Sequence, residues 1–280
     1  MHGDRVVSEA GGLSARVEAR LREGRAHTLE IAREVLGLSG HPGAASAAVF
    51  ALLGEDLRFE VDTEGVWSLG ESPATAPLFD LPWAVVDIET TGGGVHRGHR
   101  ITEIAIVLLE YGRIVDEWTT LVNPGRSIHP AVTALTGITP GMVASAPRFE
   151  EIAPEVSARL EGRIFVAHNA GFDLGFVRNE LVEAEGEAPS VTSLCTVQLS
   201  RALLPALRRR NLDALCRHYD IRIEGRHRAW GDARATAGVL LRLLDEAGVQ
   251  GIADLATLRK KLRARRGRRR SRSRRSEEDQ

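Results

Sequence analysis

Three short segments, far apart in the chain, set the strongest constraint on its fold. They are Val85 to Gly92 (VVDIETTG), Val166 to Asp173 (VAHNAGFD) and His227 to Asp232 (HRAWGD). Between them they carry the carboxylates Asp87, Glu89, Asp173 and Asp232 and the imidazole His227. Asp87 and Glu89 are two residues apart on a predicted strand, so their side chains share one face. Asp173 falls in the first turn of the helix that follows a predicted strand, Arg163 to His168. That places it near a strand terminus, where sites in α/β folds form. Asp232 opens an amphipathic helix (Ala235, Val239, Leu240, Leu243), and His227 lies just ahead in a glycine-containing loop. Taken singly, each segment has an ordinary structural explanation. A D-x-E pair is commonly a solvated strand end, Asp173 can satisfy a helix dipole, and His168 and Asn169 can cap a turn. His227 can be a surface imidazole beside Arg226 and Arg228.

Taken together they imply more. Four acids in one site do not all stay ionised unless strong positive charge sits among them. Divalent metals supply it, and oxygen-only ligation favours Mg²⁺ or Mn²⁺ over zinc. The combination points to two-metal hydrolysis of a phosphodiester. A neutral histidine suits the removal of a proton from the attacking water.

The surrounding pattern is that of an α/β domain. Trp83 to Ile88, Ile101 to Glu110 and Arg113 to Val122 read as strands, with Tyr111-Gly112 as a turn. Helices are predicted at Pro130 to Thr136, Glu150 to Leu160, Phe172 to Glu185, Leu194 to Leu204, Leu212 to His218 and Asp232 to Glu246. This alternation predicts a mixed central sheet. Ahead of it, residues 1–70 form a separate module. Thr28 is expected to cap a helix through Leu36, a second helix runs from Pro42 to Gly54, and a hairpin follows at Phe59 to Val61 and Val66 to Leu69. Helix, helix, hairpin resembles a winged helix-turn-helix. From Thr28 to Gly70, however, two arginines stand against seven acids. Such a surface repels phosphate, which favours a protein-contact role over DNA binding. Residues 71–80, rich in Pro and Ala, read as a linker, 81–250 as the main domain, and 251–280 as a disordered basic tail.

Charge is unevenly spread. From Arg259 to Arg275 twelve Arg and Lys occur without an acid, while the rest of the chain, the last three acids aside, carries about −10. A mobile cationic arm of this kind raises affinity for nucleic acid. Two cysteines in 280 residues suggest no disulfide framework. No run approaches the ~18 apolar residues of a membrane span, and the expected setting is cytoplasmic, away from membranes.

The three segments resemble the three motifs of the DEDDh branch of the DnaQ-like 3′→5′ exonucleases, a family that includes the epsilon proofreading subunit of bacterial DNA polymerase III. Asp87 and Glu89 match the first motif, Asp173 the second, and Asp232 with His227 the third, in the His-x-Ala-x-x-Asp form. Ile101 to Ile104 (ITEI), Leu135 to Thr139 (LTGIT) and Asn211 to Cys216 (NLDALC) add to the resemblance, which covers Trp83 to Leu244. It implies a ribonuclease H-like fold that releases nucleoside 5′-monophosphates from 3′ ends, DNA favoured over RNA and single-stranded ends over duplex. It implies two metal ions, with Asp87 bridging both, Glu89 and Asp232 completing their shells, Asp173 ligating directly or through water, and His227 as base. It also implies substrate contacts from Thr90, Thr91, Gly92, His168, Asn169 and Phe172, with Phe172 and Trp230 as candidates for base stacking. The acidic module and the Arg-rich tail are additions to this pattern. A DNA polymerase or repair complex is the expected partner of the module. An exoribonuclease and a non-catalytic nucleic-acid scaffold are the competing readings.

Overall fold

Runs of apolar residues build the sheet that carries the acids, Trp83 to Val86 and Ile104 to Leu109 being buried at every position. In the computed structural model, which describes residues 13, 16–54, 59–62, 64–69, 76–186, 188–189 and 191–264, the chain divides into two units. The boundary falls at Pro77/Leu78, and residues 254–256 group with the first unit.

The first unit begins with helical backbone at 16–22 (α1). It continues through β1 (Ala26–His27), α2 (Thr28–Glu34), α3 (Pro42–Leu53), β2 (Phe59–Val61) and β3 (Val66–Leu69). The strands form an antiparallel sheet in the order β1-β3-β2. Val17, Leu21, Ile31, Val49, Leu53 and Trp67 fill its core. The cap of α2 differs from the sequence expectation. His27, not Thr28, is the N-cap, its Nδ1 accepting from the Leu29 amide at 3.2 Å. Thr28 is buried: its hydroxyl donates to the Gly65 carbonyl and accepts from Trp67 Nε1 at 2.9 Å. A hydroxyl able to satisfy a buried indole is more useful inside than at an exposed helix end.

The second unit contains a five-stranded mixed sheet in the order β6-β5-β4-β7-β8. β4 (Trp83–Thr90), β5 (Ile101–Glu110) and β6 (Arg113–Leu121) run antiparallel. β7 (Ile164–Ala167) and β8 (Ser193–Cys195) add in parallel. Around it lie α4 (Pro130–Thr136), α5 (Pro140–Ala144), α6 (Phe149–Leu160), α7 (Gly171–Glu185), α8 (Thr196–Leu203), α9 (Leu212–His218) and α10 (Ala229–Val249). One face of β4 and β5 meets α6 and α7 through Ala84, Val86, Ile104, Ile106, Phe149 and Phe176. α10 packs across β4 and β5. Among the described residues no helix is long and apolar enough to cross a membrane.

Three expectations need correction. The stretch predicted as one helix, Leu194 to Leu204, begins as edge strand β8 before turning into α8. The linker expected at 71–80 is packed at its end: Leu78 is buried, and its carbonyl accepts from Trp83 Nε1. Its residues 71–75 lie outside the described residues. The tail is ordered up to Ala264, because Ile252 and Leu258 are buried and helical backbone (α11) spans 255–264. Three leucines at 255, 258 and 262 give this segment an apolar stripe that the charge count concealed. Residues 265–280 lie outside the described residues.

Candidate active site

Strand alternation fixes the first pair of acids. Ala84, Val86 and Ile88 enter the core shared with α6 and α7, so Asp87 and Glu89 project from the other face of β4, towards α10. Asp232, the fourth residue of α10, is buried. One oxygen from each of Asp87, Glu89 and Asp232 lies within 4.8 Å of the others. Asp173, third residue of α7 and 5% exposed, is not part of that mutual set. Its carboxylate accepts from its own amide and from that of Ile88, and its charge is the strongest of those acting on Asp87.

Crowding sets the protonation of the cluster. Burial above all, then the charges of Asp173, Asp232 and Glu89, hold Asp87 well above the ordinary carboxylate range. Burial, Asp232 and Glu103 push Glu89 from 4.5 up to about 8. Burial takes Asp173 to about 7 against the pull of its two amide donors. Asp232 is raised by burial and held back by Arg226 and His227.

Arg226 is the cation placed among these acids. Its Nε and Nη2 donate to Asp213 at 2.9 and 3.3 Å, and its Nη1 donates to Asp232 Oδ2. The same Nη1 lies 3.3 Å from His227 Nδ1. His227 holds a left-handed backbone, φ 63°, and its amide donates to Asp232 Oδ2 at 3.3 Å. The loop is pinned behind it by Glu103, buried on β5, which accepts from Arg228 Nε and Nη2 and from the Ala229 amide at 2.9 Å. Gly231 lets the loop lie against α10: a Cβ there would stand 1.8 Å from the Glu224 carbonyl oxygen.

The other expected substrate residues divide in two. Thr90 and Thr91 are buried and serve the turn with their side chains. Thr90 Oγ1 donates to the Gly92 carbonyl at 2.7 Å, and Thr91 Oγ1 accepts from the Arg100 amide and meets His99 Nδ1, both at 3.1 Å. A Cβ on Gly92 would be 2.4 Å from His99 Cε1, so the imidazole closes over bare backbone. His168 Nδ1 lies 2.9 Å from Thr196 Oγ1, and burial followed by Arg226 lowers the imidazole to about 4, leaving it neutral. These three side chains brace the pocket. Asn169 (φ 81°) and Phe172 are exposed at the mouth of α7, with the Phe172 ring 5.0 Å from that of Phe176. Trp230 is committed elsewhere, donating to Glu117 at 2.8 Å beneath the Arg234 guanidinium.

Sequence reasoning missed Glu103 and the position of Arg226. The signal for Glu103 was available, since it is the one internal charge of an otherwise apolar strand and burying it demands a partner. Arg226 had none, because its role depends on Asp213 coming near from α9.

The donor set fits a divalent cation. The converging ligands are carboxylate oxygens, and Asp232 Oδ1 is buried without a hydrogen-bond partner among the described residues.

Known proteins resemble this chain. The family model described as Exonuclease (RNase_T) matches residues 84–240. The 3′-5′ exonuclease DinG of Bacillus subtilis (strain 168) is 39% identical over 164 residues, 59% of this chain and 18% of that protein. A DNA polymerase III subunit epsilon-like protein of Rhodobacter capsulatus is 43% identical over 190 residues, 65% of this chain and 27% of that protein. The solved structure of exonuclease X in complex with 5′-overhanging duplex DNA is 31% identical, with a TM-score of 0.50, covering 59% of this chain and 93% of that one. The chain thus spans a minor part of the length of these curated relatives. With the family match running from β4 into α10 and enclosing all four acids and His227, the chain belongs to the RNase_T exonuclease family.

Proposed function

We propose that this chain is a divalent-metal-dependent 3′→5′ exonuclease acting on DNA ends in replication proofreading or repair, in the cytoplasm. The observation that carries the reading is the meeting of Asp87, Glu89 and Asp232 within 4.8 Å, with Asp173 acting on Asp87 from α7. The relatives called 3′-5′ exonuclease and DNA polymerase III subunit epsilon-like protein support the polarity and the substrate. Asp87, Glu89 and Asp232 would hold Mg²⁺ or Mn²⁺, two ions per site, with Asp173 as the supporting ligand. When bound, the ions supply positive charge that offsets the scissile phosphate and the leaving 3′ oxygen. His227 takes the proton of the attacking water. Glu103 holds Arg228 and Ala229 and so fixes the loop from which His227 projects. The acidic first unit fits a protein partner, a polymerase or repair complex, better than a nucleic acid.

The test is incubation of the protein with Mg²⁺ or Mn²⁺ and 5′-labelled single-stranded DNA and RNA of one sequence, beside Asp87→Ala. A ladder shortening from the 3′ end, stopped by EDTA and absent in the variant, is expected, with DNA degraded faster. Activity that survives metal-free buffer overturns the metal reading, and faster loss of RNA overturns the choice of DNA.

A further inference from the structure

The turn that leaves β4 gathers positive charge beside the acids. Thr91, two residues beyond Glu89, is its hub. Its amide donates to the Arg100 carbonyl at 2.9 Å, its hydroxyl meets His99, and its carbonyl accepts from the His129 amide at 3.1 Å. Arg126 reaches across to the Gly98 carbonyl, in a turn where Gly98 has φ 72°. His96, Arg97, His99, Arg126 and His129 therefore share one loop cluster. Their mutual influence is visible at His99, which burial first, and then the charges of Arg126, Arg97 and His129, hold below the usual imidazole range.

Two features separate this cluster from an ordinary solvated surface. Four of its members, His96, Arg97, Arg126 and His129, are exposed. Among the described residues, no carboxylate forms an ion pair with Arg97 or Arg126, whereas the adjoining Arg100 is taken up by Glu180 and Glu183. Two arginines without an ion-paired carboxylate among the described residues also run against the chain outside the Arg-rich segment, which carries about −10. At about 3.3 Å per extended residue, Thr91 lies roughly 7 Å from Glu89, so the turn that carries the patch starts beside the acid pocket. A pocket of four carboxylates repels a polyanion, and cations at its rim are what would hold one there.

We propose that Arg97 and Arg126, with the imidazoles of His96, His99 and His129 around them, form a subsite for the internucleotide phosphates of single-stranded nucleic acid next to the scissile linkage. The proposal rests on the exonuclease reading given above. The subsite holds the strand without taking part in the chemistry, so it reads charge and spacing, not base identity. His99 closing over Gly92 and accepting or donating at Thr91 couples the patch to the backbone that follows Glu89.

The test is the double variant Arg97→Ala/Arg126→Ala of the full chain, with a thermal melt as the check on folding. Binding of a fluorescent oligo-dT is measured in EDTA across a salt series. Steady-state kinetics are measured on the same oligonucleotide and on the p-nitrophenyl ester of thymidine 5′-monophosphate, which carries one phosphate and cannot reach the subsite. The slope of log affinity against log salt should flatten by about 1.4, the value for two phosphate contacts on a single strand. KM for the oligonucleotide should rise several-fold with kcat kept, and hydrolysis of the ester should not change. Arg97→Lys/Arg126→Lys should restore the slope, because a point charge suffices for a phosphate. An unchanged slope overturns the subsite, as does an equal loss on the ester, which would put the arginines in the scaffold of the reaction centre. Wild-type protein inert on the oligonucleotide as well as the ester would overturn the exonuclease reading instead, and the salt slope in EDTA would still decide the subsite.

Discussion

Glu103 faces Glu89 directly across the β4–β5 ladder, and like charges in that position destabilise an antiparallel pair. Three donors from the far end of the domain, two on Arg228 and the Ala229 amide, absorb the charge. Glu103→Ala should therefore destabilise the fold by roughly 1–3 kcal/mol through unsatisfied donors. The value stays below that of a fully buried pair because Arg228 is 38% exposed. Urea unfolding measures it, and Glu103→Gln should recover part of the loss by keeping an acceptor for the amide. Arg226 works in the opposite sense. It pairs with Asp232 through Oδ2, so its charge competes with a cation for the same carboxylate, and Arg226→Gln should bind Mn²⁺ more tightly than the parent in calorimetric titration of EDTA-stripped, dialysed protein. Weaker binding would mean that the guanidinium orders the ligands instead of competing for them.

At the scale of elements, segments with a clear period or a turn beside them were legible, the short hairpin strands β2 and β3 included, and isolated short ones were not. β5 and β6 follow from their apolar pattern, and α4 and α9 have the bounds their sequences suggest. β8 has three residues and α5 five, too few to show a period, and their identity comes from the neighbour they dock on. β8 exists because Phe165, Val166 and Ala167 offer it an edge. The acids were legible as a set because each sits at the end of an element whose period was clear. Arg226 and Glu103 belong to the packing between elements, which spacing along the chain does not encode. The same interface gives a prediction for α10. Gly231→Ala raises intrinsic helix propensity yet drives a Cβ against the Glu224 carbonyl oxygen. Exonuclease activity should fall sharply while helix content by circular dichroism is kept. An active Gly231→Ala enzyme would mean that the 224–228 loop can move aside.

For the whole molecule, the raised carboxylates tie stability to pH and metal. Glu89 titrates near 8 in the folded chain against an ordinary 4.5, and Asp173 near 7 against 3.8. Between those limits the folded state keeps protons that the unfolded state has lost. Its stability is then fullest at the acidic end and declines as pH rises through the folded values. The metal-free protein should show a falling Tm from about pH 5 to about pH 8, read by calorimetry in EDTA. Added Mg²⁺ or Mn²⁺ should reverse the slope, because cations bind the ionised carboxylates. A Tm in EDTA that rises over this range would contradict the crowding of the four acids. Deleting 265–280 removes eight arginines, and the salt dependence of oligonucleotide binding should flatten, while hydrolysis of a mononucleotide ester stays constant.

Asp232 comes from the last long helix of the domain, whereas Asp87 comes from its first strand. A ribosome must therefore finish nearly the entire domain before the acid set is complete. A nascent chain, or a fragment cut before residue 232, has the sheet but lacks both His227 and the third converging carboxylate, or at best the latter. The order of elements along the polypeptide thus delays completion of the acid set until the start of α10 has been made.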